Sequence, residues 1–167
     1  MHIFFIRHGE PDYSFIKPTN NCQWSNLAPL TTNGVKQALN LRNNKDLINK
    51  KIICSPYTRT LQTATLLANG KNVIIEPNLH EWLPSKNFLI NVDEISIANK
   101  NFKTNCQNCD YETKQEMINR FSNVIDKYKQ EKEIIIVSHS RVMSTYLQSI
   151  NINKKYFDYC EVFDLDL

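Results

Sequence analysis

An α/β fold, with a parallel or mostly parallel sheet covered on both faces, is what this sequence predicts. Short apolar, β-branched runs alternate along the chain with amphipathic stretches of helical period. The 167 residues are the size of one domain, and 41% hydrophobic with 22% charged residues suffices to bury a sizeable core. No repeat, low-complexity tract or linker divides the chain, so residues 1–167 read as a single unit.

His2 to Ile6 forms the first strand, an apolar run ended by Arg7 and His8. Thr32 to Arg42 is the first helix, with Thr31 or Thr32 supplying the hydroxyl cap. Lys51 to Cys54 is the second strand, and Tyr57 to Asn69 the second helix, stopped by Gly70. Asn72 to Glu76 is the third strand. Glu112 to Glu131 is the clearest helix, since Met117, Phe121, Val124, Ile125 and Tyr128 fall on one buried stripe. Glu133 to Val137 is a fourth strand, and Val142, Met143, Tyr146 and Leu147 mark a last helix over Arg141 to Ile150. In Val162 to Leu167, apolar and acidic residues alternate as in a half-exposed edge strand. Two long segments, Glu10 to Leu30 and Leu83 to Asp110, fit no regular element and read as lids or binding loops.

Charge excludes several function classes. Twenty basic against 17 acidic residues give +3, too weak an imbalance to predict nucleic-acid or membrane-surface binding. No stretch has transmembrane length, and the opening apolar run is cut off too early for a secretory signal. With that, an odd set of five cysteines points to reduced thiols in the cytoplasm. Cys106 and Cys109 have the spacing of half a zinc site, which Cys22 alone could extend; the expectation is that no metal or other cofactor is bound.

The chemistry-bearing residues fall just beyond predicted strands: Arg7 and His8, Ser55 to Arg59, Glu81, and His139. Open α/β sheets bind ligands at those strand ends. Arginine is scarce, five among 20 basic residues, and is expected where its planar fork matters. Two guanidinium groups and an imidazole there can hold a phosphoryl group. No P-loop, Gly-x-Ser-x-Gly elbow or dense Asp cluster accompanies them, which leaves histidine as the nucleophile. His8 takes that part if its second ring nitrogen donates a hydrogen bond that fixes the tautomer. Glu81 is the well-placed acid to protonate the leaving oxygen, and Arg7, Arg59 and His139 the groups that stabilise the equatorial oxygens.

Arg7-His8-Gly9-Glu10 after the first strand resembles the signature of the histidine phosphatase superfamily, in its phosphoglycerate mutase-like branch. The resemblance continues through Leu30-Thr31-Thr32-Asn33-Gly34 with Gln37-Ala38, through Ser55-Pro56-Tyr57-Thr58-Arg59-Thr60-Leu61-Gln62-Thr63-Ala64, and through Leu79-His80-Glu81-Trp82 and Val137-Ser138-His139. It implies a three-layer α/β/α sandwich, a phosphohistidine formed on His8, and a phosphate clamp of Arg7, Arg59 and His139. Glu81 would act as general acid and then as the base that activates water. Tyr13-Ser14 stands where many members have Trp-Asn, so a side-chain amide contact to phosphate becomes a hydroxyl contact from Ser14. Ser140 replaces the glycine that commonly follows the second histidine; its N–H can still meet phosphate while its side chain narrows the site.

The expected function is therefore metal-independent hydrolysis of a small phosphorylated metabolite, with Leu83 to Asp110 as a substrate-facing insertion. A phosphoglycerate-type mutase is the alternative, although the chain is short for one, and Lys86, Lys100 and Lys103 leave a second phosphate clamp open. A protein phosphohistidine phosphatase and a silent phospho-ligand binding protein also stay open. Phe88, Leu89, Ile90, Val92, Ile95, Ile97 and Phe102 would line the substrate pocket or form a satellite core, and His80 would orient Glu81. Lys50, Lys51, Lys154 and Lys155 read as solvated surface, His2 has no assigned task, and Arg141 would reach the site entrance or cap its helix. The sequence leaves oligomeric state open.

Overall fold

The computed structural model of the chain describes residues 1–14, 22–87, 92–103 and 110–167, with 22–24 and 92–93 described by their backbone alone. Five strands form one sheet: β1 (His2–Arg7), β2 (Lys51–Cys54), β3 (Val73–Ile75), β4 (Glu133–Ser138) and β5 (Val162–Asp166), in the spatial order β3-β2-β4-β1-β5. All pairings are parallel except β1 with β5, so the acidic, alternating tail is the edge strand its pattern predicts, and it runs antiparallel. The helices are α1 (Thr32–Asn40), α2 (Thr58–Ala68), α3 (Val92–Lys103), α4 (Lys114–Tyr128) and α5 (Ser140–Ser149).

Alternation along the strands decides which residues meet which helices. Ile3, Phe5, Ile134 and Ile136 join one core with Met117 and Phe121 of α4 and Met143 and Leu147 of α5. Phe4, Ile6, Ile135 and Val137 turn to the opposite face, where Ala64 and Leu67 of α2 and Leu41 after α1 cover them. Two cores separated by the sheet make the three layers. Phe5 and Phe121 are fully buried and stack at 6.2 Å, so truncating either to alanine is worth about 3 to 5 kcal/mol.

Local signals explain most boundaries. The Thr31 hydroxyl accepts from the Gly34 N–H at the start of α1. Asn69 adopts a left-handed conformation (φ 49°) after α2, so asparagine and the following Gly70 (φ 86°) share the stop. Thr113 caps α4 in a reciprocal box with Glu116, which moves the helix start past Glu112 and frees Glu112 for loop contacts.

The reading of Leu83 to Asp110 as wholly irregular is corrected by α3. Ile95, Ala98 and Phe102 make a narrow apolar stripe on it, and Ala98 is buried while Ile95 and Phe102 pack against the larger core. So short a stripe among Asn, Ser and Lys lacks the strength of a full amphipathic face. Ile97 stays 62% exposed, and Phe88, Leu89, Ile90 and the Val92 side chain lie outside the described residues. A turn of 3₁₀ helix over Cys22–Leu27 likewise interrupts the first long loop.

The loop leaving β1 is shaped by two glycines in close approach. A Cβ on Gly34 would lie 2.2 Å from the Glu10 carbonyl oxygen, and one on Gly9 would lie 2.7 Å from the Gly34 carbonyl oxygen. Neither neighbour is a flexible side-chain tip, so the backbone itself must yield. Gly34→Ala should destabilise the fold by about 2 to 3 kcal/mol, read as a fall in urea midpoint at unchanged slope.

Candidate active site

Strand register brings the chemistry together. Arg7 of β1 pairs with Ser138 of β4, and Cys54 of β2 with Val137, so the strands end side by side. His8, Ser55 and His139 follow directly, and the backbone N–H groups of His8 and Ser55 donate to the Ser138 and Val137 carbonyls. Arg59 projects from the first turn of α2 into the space between them.

The Arg59 guanidinium commits each of its nitrogens. Nε donates to His8 Nε2 at 3.2 Å, Nη2 to His139 Nδ1 at 3.2 Å and Nη1 to the Ser25 carbonyl at 2.8 Å. A guanidinium can only donate, so both imidazole nitrogens facing it carry lone pairs. The remaining ring nitrogens are then donors: His8 Nδ1 to the Gly9 carbonyl at 2.8 Å, and His139 Nε2 to the Ser55 hydroxyl at 2.9 Å. Burial, then the Arg59 charge, drives His8 down to about 3, while the Gly9 carbonyl resists. The same two causes hold the wholly buried His139 well below the ordinary histidine value. Two neutral rings of fixed tautomer result.

Arg7 is braced from the other side. Its Nη1 donates to the Tyr156 hydroxyl at 2.5 Å and the Phe157 carbonyl at 2.7 Å, and its guanidinium lies 4.0 Å from the centre of the Tyr159 ring. Its buried Nε has no partner among the described residues and can donate to an oxygen brought into the site. Tyr159 also packs on His8, at 5.8 Å between ring centres.

Glu81 reaches the same place through the loop after β3. One carboxyl oxygen accepts from the Trp82 N–H at 2.9 Å, and the other lies 3.7 Å from His139 Nδ1. With His139 neutral, that approach is not an ion pair. A buried pair supports the loop: Arg120 grips Glu112 with two nitrogens at 2.5 and 3.0 Å and the Asn78 carbonyl with its third. Glu112 in turn accepts from the Leu83 N–H, and its carbonyl accepts from the Trp82 indole. Above Arg59 and Glu81 opens a cavity of about 540 Å³, walled by α5, α3 and the turn at Ser25.

Five expected residues thus meet: Arg7, His8, Arg59, Glu81 and His139. Ser140 borders the cavity, but its hydroxyl is turned to accept from the Phe157 N–H, so it narrows the site less than its position implies. Ser14 is exposed, and both its hydroxyl and its backbone N–H bond Asp12. His80 bonds the Glu81 carbonyl at 2.6 Å rather than the carboxyl, so it shapes the turn. His2 lies at the opposite end of β1, beside Asp164 and Asp166. Lys155 is exposed, as its reading as solvated surface has it, and also borders the cavity, whereas Lys50, Lys51 and Lys154 pair with glutamates. Cys54 and Cys160 are free thiols; Cys106, Cys109 and the Cys22 side chain, the candidate zinc ligands, lie outside the described residues. Among the described residues, no helix is long and apolar enough to cross a membrane, and no group of three or more His, Cys, Asp or Glu could hold a metal.

Ser55, Glu112, Arg120, Tyr156 and Tyr159 were not singled out in advance for any task in the site. The scarcity of arginine was a usable signal for Arg120; nothing local marks the tyrosines.

Residues 3–162 match the model of the histidine phosphatase superfamily (branch 1). No curated protein matches the chain. Among solved structures, it is similar to the alpha-ribazole phosphatase of Shigella flexneri at 22% identity and a TM-score of 0.72, with 100% of this chain and 91% of that one covered. It is similar to the Entamoeba histolytica phosphoserine phosphatase in complex with 3-phosphoglyceric acid at 22% identity and 0.73, covering 98% and 89%. A mycobacterial glucosyl-3-phosphoglycerate phosphatase gives 13% identity and 0.72, covering 99% and 92%. At these identities the likeness is one of fold.

Neutral buried imidazoles make the fold sensitive to acid. Below pH 6.5 an unfolded His8 takes up a proton that the folded site refuses until about pH 3, so the unfolded state gains across that window. Urea unfolding between pH 8 and 4 should show stability level above pH 7 and falling below it, by about 1.4 kcal/mol per pH unit for each such histidine. His139→Gln should have a shallower slope.

Proposed function

The chain belongs to the histidine phosphatase superfamily, branch 1, and from that we propose a metal-independent phosphomonoesterase that hydrolyses a small phosphorylated metabolite through phospho-His8. The observation that carries the reading is the arrangement of two neutral, tautomer-fixed imidazoles on one guanidinium, below a cavity with Glu81 in its wall.

His8 Nε2 is the nucleophile, because its lone pair faces the site while Nδ1 is tied to Gly9. Arg59 covers that lone pair in the resting protein. An arriving phosphoryl group draws the Arg59 N–H groups to its own oxygens, and the nitrogen is released to attack. The P–O bond to the leaving group breaks as the N–P bond forms, and Glu81 gives its proton to the departing oxygen. Water then attacks phosphorus, Glu81 takes a proton from it, and the N–P electron pair returns to His8. Arg7, through its unpartnered Nε, Arg59 and His139 hold the equatorial oxygens throughout, and the Ser140 N–H at the start of α5 adds a further donor. The phosphoryl charge also offsets the two guanidinium groups that suppress protonation of the rings. Fixed cations here do what a divalent ion does in other phosphoryl transfers. Reduced thiols at Cys54 and Cys160 suit a cytoplasmic setting.

A mutase would have to retain the phosphoenzyme against water, so the reading favours hydrolysis over interconversion of phosphoglycerates. Phosphate release from a panel of phosphomonoesters should survive EDTA and fall at least about 1,000-fold in His8→Ala, with loss of the acid-labile phosphoenzyme. Glu81→Gln should lose about 100- to 10,000-fold with alkyl phosphates, and less in phosphoenzyme formation from p-nitrophenyl phosphate, whose leaving group needs little protonation. Full activity in His8→Ala would overturn the nucleophile assignment; 2- to 3-phosphoglycerate conversion without phosphate release would establish the mutase.

A further inference from the structure

We propose that the cavity beside the phosphate clamp reads a carboxylate on the leaving group, so that the substrate is a phosphorylated hydroxy or amino acid bound through Arg141 and Ser144. The inference deepens the hydrolytic reading and rests on it for the phosphate end. Arg141 and Ser144 lie three residues apart on α5, hence on one face of the helix, and both line the cavity.

Both carry unused donors. Arg141 Nη1 and the Ser144 hydroxyl are buried yet have no hydrogen-bond partner among the described residues, and Ser144 is only 4% exposed. The Arg141 guanidinium is stacked 4.4 Å from the Trp82 ring centre and 5.3 Å from that of Phe102, which orients its plane without neutralising it. Glu81 is the carboxylate whose charge acts on Arg141, and no carboxylate among the described residues lies within ion-pair distance of the guanidinium. Two buried donors without a partner are costly to leave unmatched, and the half-buried guanidinium that carries one of them makes the place one for an anion.

Two donors, one of them charged, match the two oxygens of a carboxylate. A second phosphoryl dianion would need Lys155, at the exposed side of the cavity, for its third oxygen, and a neutral sugar or nucleoside would leave the guanidinium unpaired. Across the cavity on α3, Asn99 Oδ1 is also buried without a partner. It calls for an N–H or O–H on the same leaving group, as an α-hydroxyl or α-ammonium provides. Trp82 follows Glu81 in the chain, so a carboxylate on Arg141 places the scissile oxygen within the neighbourhood of the acid.

The test compares 3-phosphoglycerate with glycerol 3-phosphate, which differ only in a carboxylate replaced by a hydroxymethyl group. Phosphate release by the wild type should favour 3-phosphoglycerate by about 10- to 100-fold in kcat/KM. That ratio should fall to near one in Arg141→Met and partly recover in Arg141→Lys. Calorimetric binding of both compounds to His8→Ala reads the subsite without turnover, so a failure of hydrolysis and a failure of carboxylate recognition are told apart. Ser144→Ala, a change too small to unfold the helix, should lower the same ratio about threefold to tenfold. Equal binding of the two compounds, or a ratio unaltered in both Arg141→Met and Ser144→Ala, would overturn the proposal. Preferential binding of 2,3-bisphosphoglycerate over 3-phosphoglycerate would overturn it in favour of a second phosphate clamp.

Discussion

Everything in the site hangs on one guanidinium. Among the described residues, Arg59 is the one side chain that hydrogen-bonds both imidazoles, and through the Ser25 carbonyl it also holds the turn that borders the cavity. Its position is in turn secured from below: the Thr63 hydroxyl, one helical turn on, donates to the Arg59 carbonyl and accepts from the Gly9 N–H. Gln62 accepts from the Leu30 N–H and Gln37 from the Glu10 N–H. Side chains of α1 and α2 therefore satisfy the backbone of the loop that carries His8, so loop and guanidinium cannot shift independently.

The cost of this arrangement is electrostatic. Two rings next to a buried cation must stay uncharged, and the protein enforces this by removing water rather than by adding an anion. Glu81, whose carboxyl lies near them, is held back by a backbone N–H and by a loop that the Arg120–Glu112 pair anchors to α4. Among the described residues, cations outnumber anions around the cavity, and an anionic ligand is what the imbalance suits. The resting site is thus organised around a charge it does not itself supply.

Much of this was legible in the residues and some was not. Strand ends were marked by apolar runs stopping at Arg7, Ser55 and His139, whereas strand order and register rest on long-range pairing that no single run specifies. Arg7, His8, Arg59 and His139 stood out because histidine and arginine are scarce, and Glu81 because it follows the third strand. The helix α3 was not visible because only Ile95, Ala98 and Phe102 carry its stripe, and the polar residues between them suit loops equally well. Tyr156 and Tyr159 were invisible for a different reason. Their contacts with Arg7 span some 150 positions and depend on β5 running antiparallel beside β1, which no local pattern encodes. Arg141 was noticed, but its stacking on Trp82 required knowing that the loop after β3 crosses the start of α5.

The strand order has a consequence for the order of synthesis. β1 lies between β4 and β5, so its partners at 133–138 and 162–166 are made more than 120 residues after it. At about 5 to 20 residues per second, the apolar segment His2–Ile6 waits roughly 6 to 25 s for β4. Until then its backbone groups have no native strand on either edge, and the Phe5 ring lacks much of the α4 and α5 packing that buries it. The nascent chain therefore presents an adhesive strand through that interval, which is when a chaperone would find it.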